Sequence, residues 1–314
     1  MTTLGNALFI VNPAAQNGNG ARGAARVRYA MREYPQLADS VEVVSTEEPR
    51  QAADLAQRAA GFDTVVALGG DGVIHETVCG LMRIPDADRP ALAVIPCGNG
   101  NDYARTLGMA FDFDSSFPQL ANARTQLFDV GFCNGEPFVE TLSFGLDAAI
   151  ALGTHERRQK TGRAGTALFL EEGINQLGFH RDIHPYTMVL DDREPLTGSM
   201  HLLAIQIGRT YGGGFAVCPS ANPHDGLFDI CVAHAPIGML RAAKIFLKAK
   251  DGNHLGYTRE LSFARASAVR LSFERELPVQ IDGERVEGTE FEISICRQAL
   301  RVFAAAPQAQ DGGR

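Results

Sequence analysis

The sequence predicts an α/β amino-terminal domain, a parallel sheet with crossover helices, followed by a mostly β carboxy-terminal domain. Three observations support this architecture. The first 130 or so residues alternate strand-like and helical stretches, the pattern becomes β-rich after Phe132, and a turn-forming cluster, Asn134-Gly135-Glu136-Pro137, separates the two parts. At 314 residues the chain is also longer than one hydrophobic core usually is. We therefore expect domains at 1–133 and 134–306.

In the first domain, short apolar stretches bounded by turn signals predict strands, and the longer stretches between them predict helices. The predicted strands are 7–11, 41–44, 64–68, 91–95 and 126–130. The predicted helices are 21–33, 50–60 and 73–82. Strands that alternate with helices in this way pair in parallel, and the helices form the crossovers.

The second domain is predicted to consist of strands interrupted by two helical insertions. The strand-like segments are 200–207, 228–232, 268–273, 279–282 and 290–295. The helical insertions are 165–177 and 237–250. Residues 307–314 are small and polar, so we expect a disordered tail there.

Composition narrows the class of protein. A net charge of −8 argues against a nucleic-acid partner, because such binders are normally basic. No apolar run approaches the length that spans a bilayer, and the amino terminus lacks the features of a secretory signal, so we expect a cytoplasmic protein. Two basic stretches, 155–163 and 239–250, fit either peripheral contact with anionic lipids on the inner membrane face or ordinary solvated helix faces.

The tetrapeptide Gly69-Gly70-Asp71-Gly72 carries the clearest chemical signal. It follows the apolar run 64–68 and precedes a predicted helix. Glycines let backbone N–H groups approach phosphate oxygens closely, and a helix amino terminus favours an anion. The aspartate supplies a carboxylate for a metal ion or a water. This turn predicts phosphate binding, and a purely structural turn with a helix-capping aspartate is the alternative.

Two further strand ends carry glycine and polar residues. Asn12-Pro13 ends the first predicted strand and is followed by the glycine-rich 16–20. The segment from Gly98 to Asp102 leaves another apolar strand. Because ligands of open α/β sheets bind at the carboxyl ends of the strands, we expect one shared crevice.

Together with 219–221, the Asp225-Gly226 turn and Asp282-Gly283-Glu284, these motifs make the chain resemble the diacylglycerol kinase and bacterial lipid kinase family, which is related to sphingosine kinases and NAD kinases. The resemblance spans residues 10–284. It implies an NAD-kinase-like α/β domain and a β sandwich. It also implies an enzyme that uses ATP and Mg²⁺ to phosphorylate a hydroxyl of a lipid, such as diacylglycerol, at the membrane surface.

The resemblance implies that the turns after the strands hold ATP. The expected contacts are Asn12, Pro13, Thr46, Gly69, Gly70, Asp71, Gly72, Val73, Ile74, His75, Gly98, Asn99, Asn101, Asp102 and Asp129. Asp71 is the first candidate for the phosphate and Mg²⁺ network, with Asp102 and Asp129 as further acidic members. A helix cap at Asp102 and a structural role for Asp129 are the alternatives.

The remaining roles also come from the resemblance. Glu284 matches the family's proton acceptor, and Asp282 is the competing candidate, unless Asp282-Gly283 only forms a type I′ hairpin turn. Asn222, Asp225 and Leu227 match a second Mg²⁺ site that is structural in the family, for which a plain Asp-Gly turn is the alternative.

The sequence departs from the family pattern at three positions, which carry Val73, His75 and Asn99. Val73 has no hydroxyl for a phosphate, and the pair His75-Glu76 is similar to that of sphingosine kinases. Two alternatives therefore remain: an NAD kinase-like phosphotransferase, and a protein that binds nucleotide or lipid without useful catalysis. A dinucleotide fingerprint at Gly18, Gly20 and Gly23 is a more distant one, because Asn12 to Asn17 separate it from the strand.

Overall fold

A computed structural model describes residues 3–13, 22–161, 166–179 and 182–305. The chain divides into two compact units. The described residues up to Leu127, together with those from Leu300 onward, form the first unit, and Phe128–Ala299 form the second. The sequence indicates the boundary a few residues later, and it does not indicate that the last strand returns to the first unit. The predicted tail at 307–314 and the glycine-rich residues 16–20 lie outside the described residues.

The first unit is built on a parallel sheet, as the sequence predicts. Its strands are β1 (Asn6–Val11), β2 (Ser40–Ser45), β3 (Thr64–Gly69) and β4 (Ala91–Pro96), in the spatial order β2-β1-β3-β4. All three neighbouring pairs are parallel. Strands β3 and β4 are buried along their whole length, which explains why both read as unbroken apolar runs.

Helices follow these strands as crossovers. They are α1 (Gly23–Glu33), α2 (Gln51–Gln57), α3 (Asp71–Leu81), α4 (Asp102–Thr106) and α5 (Phe113–Leu120). The sequence predicts the first three, with bounds that differ by a few residues, and misses the last two. Helix α4 has only five residues, and α5 has Pro118 in its interior, so neither shows the usual helical signal.

The second unit is a β sandwich. Strand β5 (Arg124–Cys133) leads into it, and its own strands are β6 (Glu136–Phe138), β7 (Thr141–Gly145), β8 (His184–Leu190), β9 (Leu196–Gln206), β10 (Phe228–His234), β11 (Leu261–Ala266), β12 (Ala268–Phe273), β13 (Val279–Ile281) and β14 (Glu284–Val286). Neighbours are antiparallel, and β9 pairs with β7, β8 and β10. The last strand, β15 (Glu290–Ala304), pairs first with β12 and finally, through Val302, with β4 of the first unit.

Aromatic side chains fill the core of this sandwich. Phe138 stacks on Phe228 with ring centroids 5.7 Å apart, and Phe144 meets Phe291 edge to face at 5.0 Å. All four side chains are buried. Large apolar side chains brought together from strands far apart in the sequence stabilise the sandwich by removing their surface from water.

Helices cover part of the second unit. They are α6 (Leu146–Thr161), α7 (Thr166–Phe179) and α8 (Met239–Ala249). The sequence predicts α7 and α8. It does not predict α6, whose end is identified only as a basic stretch. Across the described ranges, no helix is both long enough and apolar enough to cross a membrane.

Candidate functional site

The carboxyl ends of the four parallel strands of the first unit lie side by side. The Asn12 N–H donates to the Leu68 carbonyl at 3.1 Å, and the Cys97 N–H donates to the Gly69 carbonyl at 2.7 Å. Thr46, just past β2, likewise donates its N–H to the last residue of β1 at 2.9 Å. The structure therefore brings together the predicted turns that follow β1, β2, β3 and β4.

Two of these turns touch through their glycines. A Cβ atom on Gly98 would lie 2.5 Å from the Gly70 Cα, and one on Gly70 would lie 3.0 Å from the Gly98 Cα. No side chain fits between them, because real Cβ atoms do not approach other atoms so closely. The glycines are required by this close approach, since the backbone at Gly70 is in an ordinary extended conformation.

Asp71 ties the two turns together. It is the first residue of α3, and its Oδ1 accepts the backbone N–H groups of Asp102 at 2.9 Å and of Tyr103 at 3.4 Å. Its Oδ2 lies against Gly100, where an added Cβ would be 2.7 Å from Asp71 Oδ2 and 3.2 Å from Asp102 Oδ2. The two carboxylates thus flank the same glycine.

This proximity changes the chemistry of the acid. Burial, and then the negative charge of Asp102, raise the pKa of Asp71 to about 7, although the N–H groups that it accepts act in the opposite direction. Arg105 partly compensates the negative charge of Asp102, because Arg105 Nε lies 3.9 Å from Asp102 Oδ1. A hard divalent cation is favoured beside two neighbouring carboxylates, because the cation stabilises their ionised forms.

Asn101 shapes the second turn. It adopts the left-handed conformation with φ of 52°, its Oδ1 accepts the Gly98 N–H at 2.9 Å, and its side-chain amide donates to the Gly98 carbonyl at 3.1 Å. Its side chain is therefore used to hold the loop rather than to reach a ligand. Asn99 lies at the tip of the same loop and is partly exposed.

The side chains that follow the first turn point into the protein. Val73, Ile74 and His75 are all buried, and His75 Nε2 lies 3.5 Å from Cys79 Sγ one helical turn later. The backbone N–H groups at the amino terminus of α3 have no intrahelical acceptor. They are the part of this predicted segment that can bind a ligand. Val73 in place of a hydroxyl residue therefore leaves the backbone part of the site intact.

Asp129 belongs to the second unit in this structure. It is buried, Oδ2 accepts the Gly226 N–H at 2.7 Å and Oδ1 accepts the Gln298 N–H at 2.7 Å. Both oxygens thus bind backbone groups of the same unit, as the structural alternative requires.

The predicted second metal site already contains a cation. Asp225 Oδ1 accepts the Leu227 N–H at 3.1 Å, and Oδ2 binds the Arg265 guanidinium. The same guanidinium lies 3.2 Å from Asp229. Asn222 is exposed beside this pair. A metal ion at Asn222, Asp225 and Leu227 would have to displace Arg265 from the carboxylate.

The structure separates the roles of the two candidate bases. Asp282 and Gly283 have φ of 46° and 96° and form the two-residue turn between β13 and β14, which is the type I′ geometry. The Asp282 carboxylate accepts three backbone N–H groups, from residues 139, 140 and 141, at 2.9 to 3.0 Å. Glu284 begins β14 and is partly exposed. Asp282 therefore anchors the hairpin. Both carboxylates are half-buried, and the three backbone hydrogen bonds of Asp282 are what distinguish it from Glu284.

Sequence reasoning misses an apolar cavity in the second unit. It has a volume of about 80 Å³ and lies between the sheet and α6, α7 and α8. Buried Asp147 lines it, the Tyr211 hydroxyl donates to Asp147 Oδ1, and Asp147 Oδ2 has no hydrogen-bond partner of normal geometry among the described residues. Burial raises the pKa of Asp147 to about 6 despite the nearby hydroxyls of Ser143 and Tyr211. An aspartate inside the apolar run 142–152 is the signal that could have found it.

Comparisons with known proteins agree with this architecture. Residues 6–133 match the diacylglycerol kinase catalytic domain, and residues 140–304 match the YegS C-terminal NAD kinase beta sandwich-like domain. A catalytic domain of the first kind joined to a sandwich of the second defines a lipid kinase architecture. The chain belongs to the YegS-like lipid kinase family, and the resemblance and the fold class predicted from its sequence are confirmed.

Relatives that carry the name of this family support the same assignment. A Pseudomonas aeruginosa protein named "Probable lipid kinase YegS-like" is 29% identical over 249 residues, which cover 79% of this chain and 78% of the relative. A Pseudomonas fluorescens protein of the same name is 29% identical over 276 residues, or 87% and 88% of the two chains.

Solved structures share the fold. A diacylglycerol kinase from Bacillus anthracis superposes with a TM-score of 0.74 at 20% identity over 98% of this chain and 99% of its own. An NAD kinase from Archaeoglobus fulgidus, solved with ATP, superposes with a TM-score of 0.55 at 14% identity, over 95% of this chain and 94% of its own. At these identities the two structures establish the fold alone.

Gly98→Ala tests the contact between the two turns. The new Cβ would overlap Gly70, so we expect the free energy of unfolding to fall by about 1–3 kcal/mol. Urea denaturation monitored by circular dichroism measures this. Gly178→Ala is the control, because a Cβ there meets nothing within 4 Å. A Gly98→Ala protein as stable as the Gly178→Ala control would show that the turns do not touch as described.

The two candidate bases are expected to respond differently to substitution. Asp282→Ala removes the acceptor of three N–H groups and should lower the free energy of unfolding by about 3 kcal/mol or more. Glu284→Gln, at an accessible position, should change it by no more than about 0.5 kcal/mol. Urea denaturation of the two variants in parallel distinguishes an anchor from an accessible carboxylate, and equal losses would contradict the assignment.

Proposed function

We propose that this member of the lipid kinase family transfers the γ-phosphate of ATP to a hydroxyl group of a lipid such as diacylglycerol, with Mg²⁺ as the metal ion. The single observation that carries the proposal is the pair of carboxylates, Asp71 and Asp102, placed beside Gly100 where two glycine turns meet. Phosphoryl transfer needs positioned phosphates and a cation more than it needs covalent help from the protein.

The first unit supplies the groups for the phosphates. The amino terminus of α3 offers backbone N–H groups and the positive end of a helix dipole. Gly70 and Gly98 keep side chains away from this surface. Asn12 and Thr46 end the neighbouring strands, and partly exposed Asn99 completes the rim. This arrangement suits the phosphates of a nucleotide.

The carboxylate oxygens of Asp71 and Asp102 are the donors that Mg²⁺ prefers. Bound there, the metal ion would neutralise charge on the phosphates during transfer. Asp71 contributes one oxygen to the N–H groups that order α4 and has a second oxygen on the side of Asp102. Asp71 thus holds the loop and presents a ligand atom at the same time.

Glu284 is the group that we propose as proton acceptor for the lipid hydroxyl. A base must be able to come within hydrogen-bond reach of its substrate. Both carboxylates are partly exposed, but Asp282 already accepts three backbone N–H groups, and Glu284 lies at the start of β14. The geometry therefore favours Glu284 over Asp282.

The cavity of the second unit supports a lipid as the acceptor. Apolar side chains from three helices line it, and an apolar chain gains free energy when such a wall replaces water. Asp147 Oδ2 provides one buried acceptor there, which a hydroxyl or amine beside the chain would satisfy. A fatty acid, whose carboxylate would face that of Asp147, is disfavoured.

The direct test is transfer of label from γ-labelled ATP, with Mg²⁺, to mixed micelles of diacylglycerol, ceramide, sphingosine, monoacylglycerol and phosphatidylglycerol, with NAD as a parallel soluble acceptor. We expect a labelled lipid, and a loss of about 10²-fold or more in kcat/KM for both Asp71→Asn and Glu284→Gln. Glu287→Gln, an exposed neighbour, is the matched control and should keep wild-type activity.

Each other outcome of that experiment has a definite meaning. Label in NADP alone would assign the protein to NAD kinase chemistry. Binding of ATP with no labelled product would make it a binding protein without useful catalysis. Unchanged transfer in Asp71→Asn and Glu284→Gln would remove both residues from the site.

The raised pKa of Asp71 predicts how stability depends on pH. The Asp71 carboxyl has a pKa of about 7 in the folded protein, against the ordinary value of 3.8. Between these values the folded protein binds a proton that the unfolded chain does not, so this contribution to stability is full below the lower value and is lost as pH rises through the higher one.

Asp71→Asn keeps an oxygen for the N–H groups of Asp102 and Tyr103 but cannot ionise. We expect its melting temperature, measured without ligand, to gain on that of the wild type as pH rises from about 5 to about 8. Asp86→Asn, at an exposed carboxylate, is the control. A difference between Asp71→Asn and wild type that is the same at both pH values would contradict the raised pKa.

A further inference from the structure

Helix α8 lines the cavity and has two different faces. Its inner face carries Ile245 and Ala249, which are buried, and Phe246, whose ring stacks 5.0 Å from that of Phe215. All three side chains line the apolar cavity, as does Ala242 one turn earlier. One face of α8 is therefore a wall of the cavity proposed for the acceptor lipid.

The outer face of α8 exposes large apolar side chains. Leu240 is 84% exposed and Leu247, two turns later, is 53% exposed. Residues 240, 244, 247 and 248 follow the spacing that places side chains on one side of a helix. A single exposed leucine needs no explanation, but two exposed leucines on the same face of one short helix form an apolar patch of the kind that marks an interaction surface.

The same outer face is basic. The segment 239–250 contains Arg241, Lys244, Lys248 and Lys250 and no acidic residue, in a chain whose net charge is −8. Arg241 is already engaged by Glu260 through two hydrogen bonds of 2.9 and 3.2 Å. The three lysines are exposed and form no ion pair with a carboxylate of the described ranges. The charge that remains available on this face is positive.

An anionic lipid surface fits both properties. Leucines that enter the boundary between headgroups and acyl chains, flanked by lysines that meet anionic headgroups, are the usual composition of a helix that lies on a membrane. A second copy of this chain fits less well, because both copies would bring the same positive charge to the contact.

We propose that α8 is the membrane-docking element of this protein: Leu240 and Leu247 enter an anionic bilayer surface, and Lys244 and Lys248 bind its headgroups. This proposal rests on the proposed function in one respect: docking would serve to bring the acceptor lipid to the cavity. A helix is about 10 Å across, so docking by the outer face would bring the bilayer within about one helix diameter of the cavity on the inner face. The acceptor lipid would then have a short path from bilayer to cavity.

The test is sedimentation of the full chain with vesicles, without ATP. The vesicles are phosphatidylcholine alone or phosphatidylcholine with phosphatidylglycerol. We expect binding to the anionic vesicles, roughly thirtyfold weaker in the Lys244→Ala/Lys248→Ala variant. We expect about tenfold weaker binding in Leu240→Ala/Leu247→Ala. Added salt should weaken wild-type binding but have less effect on what remains in the lysine variant.

Matched controls keep the test specific to α8. Leu196→Ala removes a leucine that is 51% exposed on β9, and Arg270→Ala removes an exposed arginine of β12 that lies outside both basic stretches. Both should bind vesicles like the wild type. All variants are surface changes, and unchanged melting temperatures would show that they fold.

Several outcomes would overturn the proposal. The first is binding to vesicles that does not depend on phosphatidylglycerol. The second is equal binding by the α8 variants and their controls. The third is a wild-type dimer in sedimentation equilibrium that the leucine variant disrupts without changing its binding to vesicles. Transfer to an acceptor dispersed in detergent reports on the proposed function separately. If it is absent in every form while vesicle binding still depends on α8, the kinase proposal fails and the docking surface stands.

Discussion

The hydrogen bonds from the Asp102 and Tyr103 N–H groups to Asp71 are the interaction on which the candidate site depends. They connect the turn after β3 to the turn after β4, and they do so where Gly70 and Gly98 are too close for any side chain. The acceptor is the first residue of α3, and one donor, Asp102, is the first residue of α4. One carboxylate therefore sets the position of two helix amino termini at the edge of the sheet.

The same arrangement has an electrostatic cost. Two carboxylates near Gly100 cannot both ionise easily in a partly buried place, and the raised pKa of Asp71 expresses that cost. A protein that needed only the hydrogen bonds could use an asparagine at position 71. A second acidic group beside the first is what a cation site would require. In the second unit, Asp282 and Asp129 also accept backbone N–H groups, but each does so through both of its oxygens, whereas Asp71 accepts the N–H groups of α4 through Oδ1.

Much of the first unit could be predicted from the sequence because its signals are local. Each buried parallel strand is an apolar run, and glycine with a polar residue directly after it marks the strand end, as at Gly69 to Asp71 and Gly98 to Asp102. The sequence does not indicate α5, because Pro118 interrupts the helical pattern of apolar residues. It does not indicate α6 either, because the apolar start of this helix continues from β7 and its end is a charged stretch. Three other contacts join residues that are far apart in the sequence. Asp282 accepts N–H groups of residues 139–141, Val302 pairs with Leu92, and buried Asp147 contacts Tyr211. No local pattern contains them.

We propose that Asp71 and Asp102 form a phosphate site that depends on a bound cation. The most direct measurement is the titration of the Asp71 carboxyl by carbon NMR, with and without Mg²⁺ and a non-hydrolysable ATP analogue, with Asp71→Asn used to assign the signal. The account predicts a midpoint near 7 in the free protein that falls by at least about 1 pH unit when the metal and nucleotide bind, because the cation stabilises the ionised form. A midpoint that the metal and nucleotide leave unchanged would contradict it.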